Sequence, residues 1–161
     1  MIFAGQGHAT SLDIKVTIPR LNVAEYHRPY VAIWIENPDQ SIATTLSVWY
    51  AKEAKDDSKG SKWLKDLRQW WRKGERDLEM PADGISGATR PAGEHKISLN
   101  DSKPPLDKLP AAEYHLVVEA AREKGDRELV RIPFVWPIQK IETLTASGNH
   151  ELGLIKLDIK P

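Results

Sequence analysis

The stretch Tyr114-His115-Leu116-Val117-Val118-Glu119-Ala120-Ala121-Arg122, then Glu123-Lys124-Gly125-Asp126, then Leu129-Val130-Arg131-Ile132-Pro133-Phe134-Val135-Trp136, decides the fold. Tyr114, Leu116, Val118 and Ala120 recur at every second position, which places them on one face of an extended strand. Glu123–Asp126 gathers the charged residues and the glycine of a turn. The two apolar runs therefore read as an antiparallel hairpin.

The same period extends outward in both directions. Leu12, Ile14, Val16 and Ile18 alternate with Asp13, Lys15 and Thr17, and Pro19 ends the run. In Tyr30–Glu36, Val31, Ile33 and Ile35 share one face while Ala32 and Trp34 hold the other, so both faces are expected to be covered. Ala43–Lys52 reads as a strand with Leu46, Val48 and Tyr50 opposite Ser47, Trp49 and Ala51. Glu94–Leu99 is a further strand. Beyond the hairpin, Ile141–Ala146 and Glu151–Ile159 join through Ser147-Gly148-Asn149, with Ile155, Leu157 and Ile159 as an inward stripe.

Only between Ser61 and Gly74 does the period change. Trp63, Leu64, Leu67, Trp70 and Trp71 recur at helical spacing, which predicts a helix over Lys62–Arg72 with Ser61 as its cap. The expected architecture is mainly β: an antiparallel, immunoglobulin-like β-sandwich with one helix and a long loop inserted between strands. A single domain is expected over residues 11–160, with residues 1–10 a frayed segment.

Composition narrows the function classes. The chain has 161 residues, 40% hydrophobic and 29% charged, as in an ordinary globular domain. Its 23 Lys plus Arg balance 23 Asp plus Glu, which argues against a strongly basic nucleic-acid binder. The absence of cysteine removes disulfides, thiolate metal sites, iron–sulfur clusters and cysteine nucleophiles. No apolar run is long enough to span a bilayer. The opening residues lack the charged and apolar regions of a signal peptide. That start suits either a cytosolic chain or a mature chain whose leader has been removed.

The long connection Glu75–Gly93 holds Asp83-Gly84-Ile85-Ser86-Gly87-Ala88-Thr89, running on into Arg90-Pro91-Ala92-Gly93-Glu94-His95. Ile85 is the only large apolar residue from Asp83 to Thr89. Taken alone, this is a glycine-rich connector with an Asp-Gly turn. Structureless connections of such length are, however, more often functional than idle. Nucleophile elbows, phosphate-binding loops, paired catalytic carboxylates and metal-ligand spacing among the histidines are all missing from the sequence.

The seven residues Asp83–Thr89 resemble the flavinylation motif Asp-Gly-x-Ser/Thr-Gly-Ala-Thr of FMN-binding subunits of sodium-pumping NADH:quinone reductase and related electron-transfer complexes. There a flavin transferase, using FAD and Mg²⁺, attaches FMN through a phosphoester to the final threonine. The resemblance implies that Thr89 is the acceptor and Asp83 the acid required for modification. Gly84, Ser86, Gly87 and Ala88 would shape the loop. The wider pattern is a Trp-Trp helix, this motif, Arg-Pro-x-Gly-Glu-His and a β-rich remainder. It resembles the predicted periplasmic proteins of domain-of-unknown-function family 2271 (DUF2271). That resemblance implies a periplasmic, leader-free redox carrier, not an enzyme, peripheral to the membrane at most. Its partners would be the flavin transferase and a PepSY-type membrane reductase.

The residue chemistry agrees. Threonine is a weak nucleophile, and Asp83 could take its proton or polarise it through a metal. Arg90 suits the negative charge that a phosphodiester keeps. His95 would either bond loop backbone or tune the flavin. The helix tryptophans Trp63, Trp70 and Trp71 are expected chiefly to pack on the sheet, and Trp34, Trp49 and Trp136 to lie in the core. The competing reading is a non-catalytic β-sandwich module that binds or assembles a membrane redox partner. An independent hydrolase is a third, which lacks a catalytic constellation.

Overall fold

The computed structural model describes residues 10–51, 58–75, 78–82, 84–138 and 140–161. Among these are nine strands: β1 (Ser11–Ile18), β2 (Tyr30–Glu36), β3 (Ile42–Tyr50), β4 (Ser86–Ala88), β5 (Gly93–Asn100), β6 (Ala112–Ala121), β7 (Arg127–Trp136), β8 (Glu142–Ser147) and β9 (Leu154–Lys160). They form two sheets, in the orders β5-β1-β9-β8 and β4-β3-β2-β6-β7. The hairpin at Glu123–Asp126 is present, with Ala121 opposite Arg127 and Ala112 opposite Trp136. All pairings are antiparallel except β3 with β4, which is parallel.

The alternating stripes meet between the sheets. Leu12, Ile14, Val16 and Ile18 from β1 and Ile155, Leu157 and Ile159 from β9 pack against Val31, Ile33 and Ile35 from β2 and Tyr114, Leu116, Val118 and Ala120 from β6. Each buried aliphatic side chain contributes about 1.5–3 kcal/mol, so this layer dominates the stability of the sandwich. Residues 1–9 lie outside the described residues. Thr10, placed in the expected frayed segment, is buried, and its carbonyl accepts the Asp101 amide at 3.0 Å.

One face assignment departs from simple alternation. Ile33 pairs with Ser47 but Trp34 pairs with Thr45, leaving Leu46 as an extra residue in β3. This β-bulge breaks the two-residue period. Leu46 therefore shares the inner core with Trp49, whereas Val48 and Tyr50 face outward. The expected grouping of Leu46 with Val48 and Tyr50 is corrected by that one inserted residue.

The outer face of the larger sheet is covered, as both-face apolarity in β2 predicts. Ala32, Trp34, Val48, Tyr50 and Val117 pack under Leu64, Leu67 and Trp70. The covering segment is not one helix over Lys62–Arg72. It comprises α1 (Ser58–Ser61), a 3₁₀ turn at Leu64–Asp66 and α2 (Arg68–Arg72). The break falls at Leu67, whose backbone (φ −77°, ψ 75°) is not helical. The reason is a competing acceptor. In a continuous helix the Gln69 and Trp70 amides would donate to Lys65 and Asp66. Here they donate to the Glu119 carboxylate of β6, at 3.0 and 2.9 Å. Glu119 is 3% exposed, and burial pushes its carboxyl above the ordinary value despite those two amides.

Candidate functional site

The segment Ala82–His95 runs along one open edge of the sandwich. β4 is the edge strand of one sheet and β5 the edge strand of the other, and residues 89–92 carry the chain between them. The expected flexible loop is thus partly a strand: Ser86, Gly87 and Ala88 lie beside Val48, Trp49 and Tyr50 of β3. Little side-chain bulk is what permits this close approach to a tryptophan. An ideal Cβ on Gly87 would lie 3.4 Å from Trp49 Cδ1.

The turn that leads into β4 is closed by reciprocal bonds. Ser86 Oγ accepts the Ala82 amide at 2.8 Å, and the Ser86 amide donates to the Ala82 carbonyl at 3.0 Å. Gly84 sits in this turn at φ +74°, the left-handed region that glycine adopts without strain. Asp83 lies outside the described residues. Ala88 is exposed at the sheet edge. Thr89 follows, half-buried, with its amide donating to the Tyr50 carbonyl at 3.2 Å. Among the described residues its hydroxyl has no hydrogen-bond partner.

Trp49 is the hub on which the other site residues converge, and it is wholly buried. The Arg90 guanidinium carbon sits 4.3 Å from the centroid of its ring. His95 meets it edge-on, with centroids 5.9 Å apart and planes at 74°. Trp49 Nε1 donates to Ser47 Oγ at 3.0 Å, and that hydroxyl donates to the Ile85 carbonyl at 3.4 Å. The indole is therefore tied to the turn that precedes Thr89. His95 Nε2 lies 2.7 Å from the Pro91 carbonyl, so with the proton on that nitrogen the ring secures the crossing between sheets. This matches the backbone-bonding role expected for His95.

A cation over an indole face gains about 0.5–2 kcal/mol. That contact holds Arg90 in place, and among the described residues no carboxylate pairs with it. The edge therefore presents a hydroxyl with no hydrogen-bond partner among the described residues and, at the next residue in the chain, a cation held on Trp49. Chemically, it is suited to carry an anionic group esterified at Thr89.

The structure thus brings Gly87, Arg90 and His95 together on Trp49, with Thr89 bonded to Tyr50 one residue before Arg90 and with Gly84 and Ser86 shaping the turn. Sequence reasoning placed Trp49 in the core, which is correct, but did not connect it with the site. The connection depends on the bulge at Leu46 and on a parallel pairing of only three residues. Neither leaves a periodic signal, although the glycine at position 87 is consistent with something large packing close by. The helix tryptophans divide: Trp70 is buried, Trp71 half-buried and Trp63 exposed.

No helix among the described residues is long and apolar enough to cross a membrane. No curated protein and no solved structure matches the chain. One family model does, that of the "Predicted periplasmic protein (DUF2271)", over residues 11–154. With strands β1 to β8 inside that match, including the Trp49 edge and the segment from Gly84 to His95, the chain belongs to the DUF2271 family of predicted periplasmic proteins.

Proposed function

We propose that this protein is an extracytoplasmic electron-transfer carrier with FMN attached through a phosphoester to Thr89 by a separate flavin transferase. The observation that carries the proposal is the placement of Thr89, the last residue of the motif-like heptapeptide. Its hydroxyl has no partner among the described residues, and it adjoins a cation held on Trp49. These residues fit the group: a phosphodiester keeps one negative charge, and Arg90 offers a positioned counter-charge.

In the modification, Thr89 Oγ bonds to the FMN phosphorus of FAD as the pyrophosphate P–O bond breaks and AMP leaves. The hydroxyl proton passes to a base, for which the motif acid Asp83 is one candidate and a group of the transferase another. Once bound, the flavin supplies the redox chemistry. Arg90 neutralises the linking phosphate, Trp49 fixes Arg90, and His95 secures the backbone between Thr89 and β5.

Co-expression with a flavin transferase is expected to add the mass of one FMN unit to the chain. It should also give a denatured band that fluoresces under ultraviolet light, with both signals lost in Thr89→Ala. Absence of both, with the transferase shown active on another substrate, refutes the proposal and leaves the binding-module reading, in which partner binding survives Thr89→Ala.

A further inference from the structure

A cleft of about 420 Å³ opens between the covering segment and the β6–β7 turn, lined among others by Arg28, Tyr30, Trp63, Arg122, Asp126 and Arg127. Its volume is within the range of small-molecule and cofactor sites, about 300–1,000 Å³. Trp63 is the exposed tryptophan of the chain's six, at 49%. Lys62 Nζ lies over one face of its ring, 5.2 Å from the centroid. Exposing an indole to water is unfavourable unless something covers it. Among the described residues neither Arg28 nor Arg127 is ion-paired. Arg122 uses Nε and Nη2 on Glu151, at 2.8 and 3.1 Å, while its Nη1 is buried without a hydrogen-bond partner. The cleft thus combines an aromatic face with arginine donors, beside the carboxylates of Asp66, Asp126 and Glu123, the last of which pairs with His27.

The cleft lies at the same end of the sheet as Thr89. The Thr89 amide bonds to Tyr50, the Tyr50 ring meets Tyr30 edge-on at 6.4 Å, and Tyr30 lines the cleft and pairs with Ala121. From β4 to β2 is two strand spacings, about 10 Å. A ribityl phosphate is a flexible chain able to cover a distance of that order. The other aromatic near Thr89, Trp49, is closed to a stacking ring because it is buried with Arg90 on its face.

We infer that this cleft seats the isoalloxazine ring of a flavin tethered at Thr89. The inference rests on the flavin reading above. The ring's π-face stacks on Trp63. Its pyrimidine edge, rich in carbonyl acceptors, faces the arginine donors that lack partners. Tyr30, anchored by its hydroxyl to the Gly60 carbonyl at 2.8 Å, forms the wall nearest the attachment point.

Stacking on an indole quenches flavin emission, which supplies the test. In the native, flavinylated full chain, Trp63→Ala is expected to raise flavin emission several-fold and lower its anisotropy. Arg28→Ala with Arg127→Ala should do so more weakly. In the full chain carrying Thr89→Ala, added free riboflavin should be quenched saturably, and Trp63→Ala should abolish this. If flavin attaches to Thr89 but its emission is unchanged by Trp63→Ala, the cleft assignment falls and the attachment stands. If none attaches yet riboflavin quenching depends on Trp63, the attachment falls and the cleft stands as a flavin site. If none attaches and riboflavin shows no Trp63-dependent quenching, both fall. Trp63 is exposed, so its replacement leaves the fold intact, as a circular dichroism melt would verify.

Discussion

Gly87 faces Trp49 at a distance that admits one methyl group and little more. With its hypothetical Cβ 3.4 Å from Trp49 Cδ1, Gly87→Ala is ordinary van der Waals contact. It should change stability by no more than about 0.5 kcal/mol. Gly87→Val pushes a branched side chain into a wholly buried indole, and overpacking of that kind costs about 1–3 kcal/mol. Urea midpoints of the two variants measure the difference, and equal midpoints would show that β4 does not press on Trp49. Thr89 differs in kind. Its hydroxyl has no partner among the described residues, so Thr89→Ala should leave the midpoint within about 0.5 kcal/mol of the parent. Loss of stability on that substitution would mean that the hydroxyl serves the fold. Trp49→Ala, by contrast, removes a buried aromatic and should cost about 3–5 kcal/mol. Trp49→Phe keeps a ring for Arg90 but loses the bond to Ser47.

Two carboxylates, the buried Glu119 and the half-buried Glu128, control how elements are held, and they respond to pH in opposite senses. Glu119 takes the first amides of α2, and burial raises its carboxyl above the ordinary 4.5. The folded chain then holds that proton more tightly than the unfolded chain. Its contribution is full below 4.5 and is lost as pH rises through the raised folded value. Glu128 of β7 accepts the amides of Asn149, His150 and Leu152, at 2.8, 3.1 and 2.9 Å, and so clamps the β8–β9 connection. Burial alone would push Glu128 up, but those three amides outweigh it and hold the carboxyl below 4.5. Its contribution is full above 4.5 and is lost as pH falls through the lowered value. Melting temperatures from about pH 3 to about pH 8 should therefore show that Glu128→Gln flattens the acid-side decline, whereas Glu119→Gln flattens a decline above the ordinary carboxylate range. Glu119→Ala strands two amides and should cost about 2–3 kcal/mol. These clamps also explain what the sequence could reveal. Strand faces in β1, β2, β6 and β9 follow from alternation because each strand is regular. The break at Leu67 and the loop held by Glu128 depend on carboxylates far away in sequence, Glu119 being 50 residues from Gln69. No local pattern encodes them.

The sandwich as a whole is unequally secured, and its weakest part carries the candidate site. β2 is central, paired over its length with β3 and β6, and its inward side chains are wholly buried. β4 is an edge strand of three residues with one neighbour. The motif was legible as a small-residue interruption, but its ordering as a strand was not, because three residues of Ser-Gly-Ala carry no strand propensity. The proposed modification would need Thr89 to enter another protein's active site, which a strand deep in the sheet could not allow. A short edge strand can open locally at a free energy far below that of global unfolding. The Thr89 amide, bonded to the Tyr50 carbonyl at 3.2 Å, reports that opening. Under native conditions it should exchange orders of magnitude faster than the Ile33 amide of β2, and its rate should barely respond to low denaturant, as local openings do. If FMN is attached at Thr89 as proposed, an Arg90–phosphate pairing should slow Thr89 exchange while leaving Ile33 unchanged. Should Thr89 and Ile33 exchange alike and with the same denaturant dependence, β4 opens only with the whole sandwich. A transferase would then have to act on the chain before it folds.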